Sequence, residues 1–282
     1  RKTKVVPGYD PARFATERVF APASDGTQVP ISLTYRRDVP RDGRAPLLLQ
    51  GYGAYGVSYD SGFSVESLPL LERGVVVAVA HVRGGGELGR AWKDAGKLSK
   101  KPNTFSDFIA AAEHLVRERW TSPQRLAISG GSAGGLLIGA VLNLRPDLFR
   151  AALAEVPFVD VINTMRDETI PLTVIEWEEW GNPSRPEDFA VMRSYSPYDN
   201  VRAVDYPWLL VRAGWNDPRV GYWEPAKWVA RLRATRTGDT PLLLSTQMGA
   251  GHGGASGLEG RYRQVALDHA FVLRALEDRK SV

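Results

Sequence analysis

The chain has 282 residues, of which 43% are hydrophobic, and carries a formal net charge of +4 without a single cysteine. The missing thiols exclude disulfides, thiolate metal sites and a cysteine nucleophile and fit a reducing cytoplasm, while the absence of any run of about 18 apolar residues argues against a membrane helix. The small charge, with a short basic patch at Lys97, Lys100 and Lys101 that is typical of a solvated loop, argues against a nucleic-acid partner.

The length suits one large core, and α/β folds often reach it as a single domain. We therefore predict one domain over residues 1–282, with residues 1–16 as an N-terminal extension or linker. Two strand patterns, at residues 18–22 and 29–35, flank Asp25 and Gly26. This arrangement predicts an antiparallel hairpin at the start of the fold.

Behind the hairpin come apolar runs without regular polar alternation, which are typical of strands buried on both faces of a parallel sheet. Helical patterns lie between and after these runs, the first with Ser106 or Thr104 as a possible cap. The alternation predicts an α/β fold with a mostly parallel sheet, an antiparallel entry and helices on both faces. The strand patterns cover residues 46–49, 75–80, 126–128, 151–156, 209–213 and 242–244, and the helical patterns cover residues 105–120, 136–142, 225–232 and 258–276.

Residues 130–134 match the pattern G-x-S-x-G, and they follow one predicted strand and precede one predicted helix. A serine nucleophile on a sharp strand-to-helix turn needs small neighbours, because the backbone there is strained. The five-residue pattern alone is common in glycine-rich turns. Its position between a strand and a helix favours Ser132 as a nucleophile.

A serine nucleophile also needs a base and an acid. His252 lies between glycines just after the last predicted strand, and Asp217 follows the strand at residues 209–213. The order Ser132, Asp217, His252 is the order of the α/β-hydrolase fold, with each residue after a strand end. The other histidines are His81, which ends a strand and stays a possible base, and His114 and His269, which lie in helical patterns typical of packed or surface positions.

The oxyanion of the intermediate needs two hydrogen-bond donors. The backbone N–H of Ala133 is the expected first donor, because it follows the nucleophile. The loop after the strand at residues 46–49 reads GYGAYG and holds Tyr52 between two glycines. The hydroxyl of Tyr52 can serve as the second donor, and an ordinary packed aromatic is an equally good interpretation of the pattern.

Residues 84–89 contain G-x-G-x-x-G after a strand, as a dinucleotide site would. The residues that follow are polar and contain glycine, so they do not form a clean helical pattern that could pack on the sheet. We therefore interpret the segment as a turn at the rim of the pocket and predict no cofactor.

Seven longer segments are specific enough to identify a family. The chain resembles the catalytic domain of the prolyl oligopeptidase family of serine peptidases over nearly its whole length. The resemblance implies Ser132, Asp217 and His252 as the catalytic residues and Tyr52 as an oxyanion donor. The segments are residues 51–56, 81–89, 130–135, 156–161, 179–183, 195–200 and 251–254.

The resemblance also implies cleavage of short peptides after arginine or lysine. The acidic and aromatic segment at residues 176–180 gives an independent reason, because a carboxylate in a partly dry pocket pairs well with a guanidinium. By the resemblance, Glu176 and Glu178 face the P1 side chain, Arg219 holds the substrate backbone, and Asp60 faces a basic P2 side chain. A second acidic position of the family is glycine here, which weakens the expected P2 preference.

Members of this family usually carry a β-propeller that caps the active site, and this chain has no room for one. A propeller on a separate or missing segment is therefore a possible partner, and an uncovered pocket predicts looser size selection. Two alternatives stay open at the level of sequence. One is an esterase or acyl-aminoacyl peptidase on the same fold, and the other is an inactive domain that binds partners.

Overall fold

The computed structural model describes residues 6–59 and 63–277. Within those ranges, no helix combines the length and the hydropathy that a membrane span requires. The described strands are β1 (Phe14–Pro22), β2 (Gln28–Arg36), β3 (Leu47–Gln50), β4 (Val76–Ala80), β5 (Leu126–Gly131), β6 (Ala151–Glu155), β7 (Trp208–Gly214) and β8 (Leu242–Gln247).

All eight of these strands lie in a single sheet, in the order β1-β2-β4-β3-β5-β6-β7-β8. β2 pairs antiparallel with both β1 and β4. The remaining neighbours pair parallel, from β4 with β3 through to β7 with β8. The predicted hairpin and the mostly parallel sheet are therefore confirmed, and the architecture is that of an α/β-hydrolase domain.

Helices cover both faces of the sheet, as predicted. Within β3, Leu47 and Leu49 pack into one core with α3, α4 and α8, whereas Leu48 points to a second core with α1 and α9. The alternation follows from the two-residue period of a strand. The helices of the described residues are α1 (Leu68–Glu72), α2 (Arg90–Asp94), α3 (Pro102–Arg117), α4 (Ala133–Leu144), α5 (Val161–Arg166), α6 (Thr173–Trp180), α7 (Pro186–Tyr195), α8 (Trp223–Thr235) and α9 (Leu258–Glu277).

Two details at the start of α3 differ from the prediction. The helix begins at Pro102, where a proline suits the first turn, so neither Thr104 nor Ser106 is its cap. Thr104 is buried and donates its hydroxyl to the carbonyl of Arg83 at 2.7 Å. Lys101 is only 1% exposed, so the prediction of a solvated loop is wrong for this lysine.

Strand β1 begins at Phe14, after a short turn at Pro11–Arg13. Residues 14–16, which the sequence places in an extension, pair with β2.

The loops that matter for the site all leave the carboxyl ends of neighbouring parallel strands. Residues 51–56 follow β3, Ser132 follows β5, Asp217 follows β7 and His252 follows β8. The topology therefore brings these distant segments to one edge of the sheet.

Candidate active site

Ser132 lies at the turn between β5 and α4, with a positive φ of 57°. The flanking glycines make this turn possible. A Cβ at Gly130 would lie 2.5 Å from the carbonyl oxygen of Gly134, and a Cβ at Gly134 would lie 2.7 Å from that of Gly51. The turn is held by a hydrogen bond from the N–H of Ser132 to the carbonyl of Glu155, at 2.8 Å.

The structure joins the three predicted residues in one series of hydrogen bonds. Nε2 of His252 lies 3.1 Å from Oγ of Ser132, and Nδ1 of His252 lies 2.7 Å from Oδ2 of Asp217. The Asp217 side chain is fully buried, and its Oδ1 accepts the backbone N–H groups of Arg219 and Val220. Burial alone would raise the pKa of Asp217, but the hydrogen bonds from His252 and the two N–H groups hold it below its usual value. The acid is therefore ionised and fixed in place at neutral pH.

The other histidines lie elsewhere. His81 is 2% exposed and its ring contacts the side chains of Ser32 and Glu87, at 2.8 and 3.3 Å. His114 lies in α3 and contacts Arg117, and His269 lies in α9. His252 is the histidine that the fold places beside Ser132.

Two hydrogen-bond donors lie at the serine. The N–H of Ala133 is at the first position of α4, where it has no acceptor within the helix. The Tyr52 backbone packs against Gly134, since a Cβ added at this glycine would lie 3.5 Å from the Cα of Tyr52. Burial and the charge of Glu176 raise the pKa of Tyr52, and a hydrogen-bonding contact with Ser132 partly opposes the rise. Because the phenol stays protonated at neutral pH, it can donate a hydrogen bond.

The acidic segment forms part of helix α6, where its carboxylates have three different environments. Glu176 is partly buried, and its Oε2 accepts the Tyr55 hydroxyl and Nε1 of Trp180, each at 2.9 Å. Glu179 is 5% exposed and accepts the N–H of Tyr55 at 2.9 Å. Glu178 is exposed, so the structure does not bring it together with Glu176.

Helical geometry explains this division. Residues three apart share a helix face, and residues two apart do not. Glu176 and Glu179 therefore face the loop at residues 51–56, whereas Glu178 faces away from it. Sequence reasoning missed Glu179, although the i, i+3 spacing within the predicted cluster was a signal that could have found it.

The remaining predicted contacts are less closely tied to the serine. Arg219 is exposed, two residues after Asp217, and its charge acts on the pKa of Tyr52 in the lowering direction. Asp60 lies outside the described residues.

The glycine segment at residues 84–89 supports the loop that carries Tyr52. A Cβ at Gly84 would lie 2.1 Å from the carbonyl oxygen of Gly53, and a Cβ at Gly86 would lie 2.2 Å from that of Gly56. The glycines are thus needed for close packing of two loops. This placement agrees with the interpretation of the segment as a turn at the pocket rim.

Comparison with known proteins identifies the family of the chain. The model of the prolyl oligopeptidase family matches residues 61–279. The chain belongs to this family. It is 52% identical to Protease 2 of Moraxella lacunata over 95% of this chain and 39% of that protein. It is 53% identical to dipeptidyl aminopeptidase BI of Pseudoxanthomonas mexicana over 98% of this chain and 38% of that protein.

The fold also agrees with that of a solved structure. Oligopeptidase B from Leishmania major has a TM-score of 0.95 and 52% identity, and the match covers 97% of this chain and 38% of that one. The chain spans about two fifths of the length of these relatives. It corresponds to their α/β-hydrolase catalytic domain, and the described residues contain no propeller blade.

Proposed function

We propose that the protein is a serine peptidase that cleaves short peptides after arginine or lysine through an acyl-enzyme intermediate. The observation that carries this proposal is the series of hydrogen bonds from Ser132 through His252 to Asp217, at 3.1 and 2.7 Å. Similarity to Protease 2 and to oligopeptidase B supports it. We further propose that residues 1–282 form one catalytic domain.

In the first half of the reaction, His252 takes the proton of Ser132 while Oγ attacks the carbonyl carbon of the scissile bond. The carboxylate of Asp217 keeps the proton on Nδ1 and stabilises the imidazolium that forms. His252 then protonates the leaving amide nitrogen, the C–N bond breaks, and an ester on Ser132 remains. Water activated by His252 hydrolyses this ester by the same steps in reverse, which regenerates the serine hydroxyl.

The negative charge on the carbonyl oxygen develops beside the N-terminus of α4. The N–H of Ala133 and the hydroxyl of Tyr52 are the proposed donors, and both are held by packing before the substrate arrives. Donors that need no reorganisation are the most effective stabilisers of such a charge. Arg219 is proposed to donate to a carbonyl of the substrate backbone.

The basic P1 side chain is proposed to reach Glu176. Among contacts of the described residues, both hydrogen bonds to this carboxylate go to Oε2, which leaves Oε1 for a guanidinium or ammonium group. The negative charge of Glu176 also raises the pKa of Tyr52, which supports a position of this carboxylate near the proposed oxyanion donor. Exposed Glu178 is left out of the P1 contact. A basic P2 side chain at Asp60 stays a proposal from the resemblance alone.

A related exopeptidase activity is the second candidate, because one 53% identical relative is a dipeptidyl aminopeptidase. An exopeptidase requires a free substrate N-terminus, whereas an oligopeptidase accepts a blocked one. Paired dipeptide amides with free and acetylated N-termini therefore separate the two activities. An acyl-aminoacyl peptidase would prefer the blocked substrate without regard to the P1 charge.

Labelling with a fluorophosphonate tests the nucleophile, with Ser132→Ala as the control variant. Labelling that is lost in the control supports an active serine hydrolase, whether peptidase or esterase, and absence of labelling in the wild type would indicate the inactive binding domain. A kinetic panel of dipeptide amides that differ only at P1 tests the specificity. Comparison of a hexapeptide with a long substrate tests size selection, and cleavage of both is expected if nothing covers the pocket.

A further inference from the structure

Two buried charged side chains bind the loop at residues 51–56, here called the tyrosine loop. Nζ of Lys101, which is 1% exposed, donates to the carbonyl of Gly53 at 2.6 Å. A carboxylate oxygen of Glu179 accepts the N–H of Tyr55 at 2.9 Å. The two contacts attach the tyrosine loop to the start of α3 and to the end of α6.

Burial of Lys101 is unfavourable by itself, because it removes a charged ammonium group from water. Burial lowers the pKa of Lys101 to about 8, and the charge of Glu179 acts against this decrease. The ammonium also lies 4.8 Å from the centre of the Trp180 ring, which favours a cation. Apolar side chains can often replace buried ions without loss of stability. Stability alone therefore does not explain a lysine at this position.

The tyrosine loop carries both parts of the proposed chemistry. Tyr52 packs against the serine turn, and the hydroxyl of Tyr55 binds Glu176. Gly53, between them, has a φ of 72° and no room for a side chain, because a Cβ would lie 2.4 Å from Thr104. A shift of the Gly53 carbonyl would therefore move the oxyanion donor and the support of the P1 carboxylate together.

We propose that Lys101 and Glu179 are positioning residues of the peptidase reaction. They fix the tyrosine loop so that the Tyr52 hydroxyl faces the oxyanion and the Tyr55 hydroxyl orients Glu176. Neither side chain contacts the substrate. The inference rests on the proposed function and deepens it, because it names the groups that join charge recognition to oxyanion stabilisation.

Kinetics of Lys101→Met in the 282-residue protein test the proposal. Methionine keeps the length of the side chain and removes the donor. We expect kcat for an arginyl amide to fall about 10- to 100-fold through displacement of Tyr52, as displaced reacting groups do, and KM for this substrate to rise through displacement of Glu176. Thermal unfolding should stay close to that of the wild type, and fluorophosphonate titration counts the competent sites.

A double-mutant cycle with Tyr52→Phe separates positioning from general damage. The cycle uses an amide with an uncharged P1 residue, for which Glu176 plays no part. If Lys101 acts through Tyr52, the double variant should be no slower on this substrate than Tyr52→Phe alone. Additive losses, or an unchanged kcat in Lys101→Met, would overturn the inference and leave the peptidase proposal standing. An unchanged kcat in Tyr52→Phe would instead overturn the oxyanion assignment, and the inference with it.

The Glu179 contact gives a second, independent pair of variants in case Lys101→Met does not fold. Glu179→Gln keeps an oxygen that can accept the N–H of Tyr55, whereas Glu179→Met does not. We expect the methionine variant to lose kcat about 10- to 100-fold and the glutamine variant to recover most of it. Equal losses in the two variants would contradict a positioning role for this hydrogen bond.

Discussion

Replacement of Glu176 by glutamine tests the proposed P1 recognition most directly. The carboxylate accepts two hydrogen bonds at Oε2, from Tyr55 and Trp180. The amide oxygen of glutamine can accept both, so the change removes the charge and retains the local contacts. A loss of activity in this variant therefore reports on the charge itself.

The magnitude follows from the environment of the carboxylate. Loss of one partner of a buried charge pair reduces binding by about 2–5 kcal/mol. Glu176 is only partly buried, and solvent screening weakens its interactions, so we expect about 2–3 kcal/mol of transition-state stabilisation to be lost. Since each 1.36 kcal/mol is tenfold, kcat/KM for arginyl substrates should fall about 30- to 150-fold.

The assay compares two dipeptide amides that differ only in arginine or an uncharged residue at P1. Glu178→Gln is the matched control, because Glu178 lies in the same helix and is exposed. We expect the arginyl substrate alone to be affected, and only by the change at Glu176. Equal losses on the two substrates, or an equal loss in Glu178→Gln, would refute the reasoning.

Three further predictions concern the serine turn, the acid and a buried carboxylate. Asp217→Asn should lower kcat about 10³- to 10⁴-fold in steady-state kinetics, because the amide no longer orients His252. A loss of kcat below tenfold would contradict this role. Gly130→Ala should destabilise the fold by about 1–3 kcal/mol in urea unfolding, because its Cβ would lie 2.5 Å from a carbonyl oxygen. The control Gly131→Ala should be nearly neutral, because the nearest contact of its Cβ is at 3.4 Å. Similar losses in the two variants would count against the packing argument. Burial raises the pKa of Glu224 from 4.5 to about 7, so the folded state binds this proton more tightly and the associated stability is lost as pH rises through 7. The unfolding free energy of the wild type should therefore fall by about 3 kcal/mol relative to Glu224→Gln between pH 4.5 and 7.5, and a constant difference would contradict the assignment.

The fold could be predicted because its main elements carry local signals. The buried strands are continuous apolar runs, and α3, α8 and α9 show helical periodicity over more than ten residues. Helices α1, α2, α5, α6 and α7 were not predicted. They have five to ten residues, so they depend on tertiary packing more than on their own pattern.

The site divides in the same way. Ser132, Asp217 and His252 follow strand ends, so parallel topology is enough to expect them at one edge of the sheet. Lys101 and Glu179 could not be recognised as a pair, because they are far apart in the sequence and meet only through their contacts with the tyrosine loop. Two lysines next to each other in sequence, Lys100 and Lys101, have opposite environments, since Lys100 is exposed. Local charge patterns do not contain this information.

Backbone strain gives the reason why these supports lie where they do. Among the described residues, the non-glycine residues with positive φ are Tyr55, Leu98, Arg119, Ser132 and Val156. Three of them surround the site, and each of the three is held by its own N–H. Tyr55 donates to Glu179, Ser132 donates to the carbonyl of Glu155, and Val156 donates to the carbonyl of Arg212.

A residue in this region of backbone space is about 1–3 kcal/mol less stable than in an ordinary conformation, so it persists only where its surroundings fix it. The turn at Ser132 is held by hydrogen bonds to neighbouring strands, which any parallel sheet supplies. The tyrosine loop follows β3 and is not itself part of the sheet, so its strained residue depends on side chains. At the tyrosine loop, the backbone hydrogen bond from Gly56 to Gly84 is therefore supplemented by the side chains of Glu179 and Lys101, whereas Ser132 and Val156 donate to carbonyl groups of neighbouring strands.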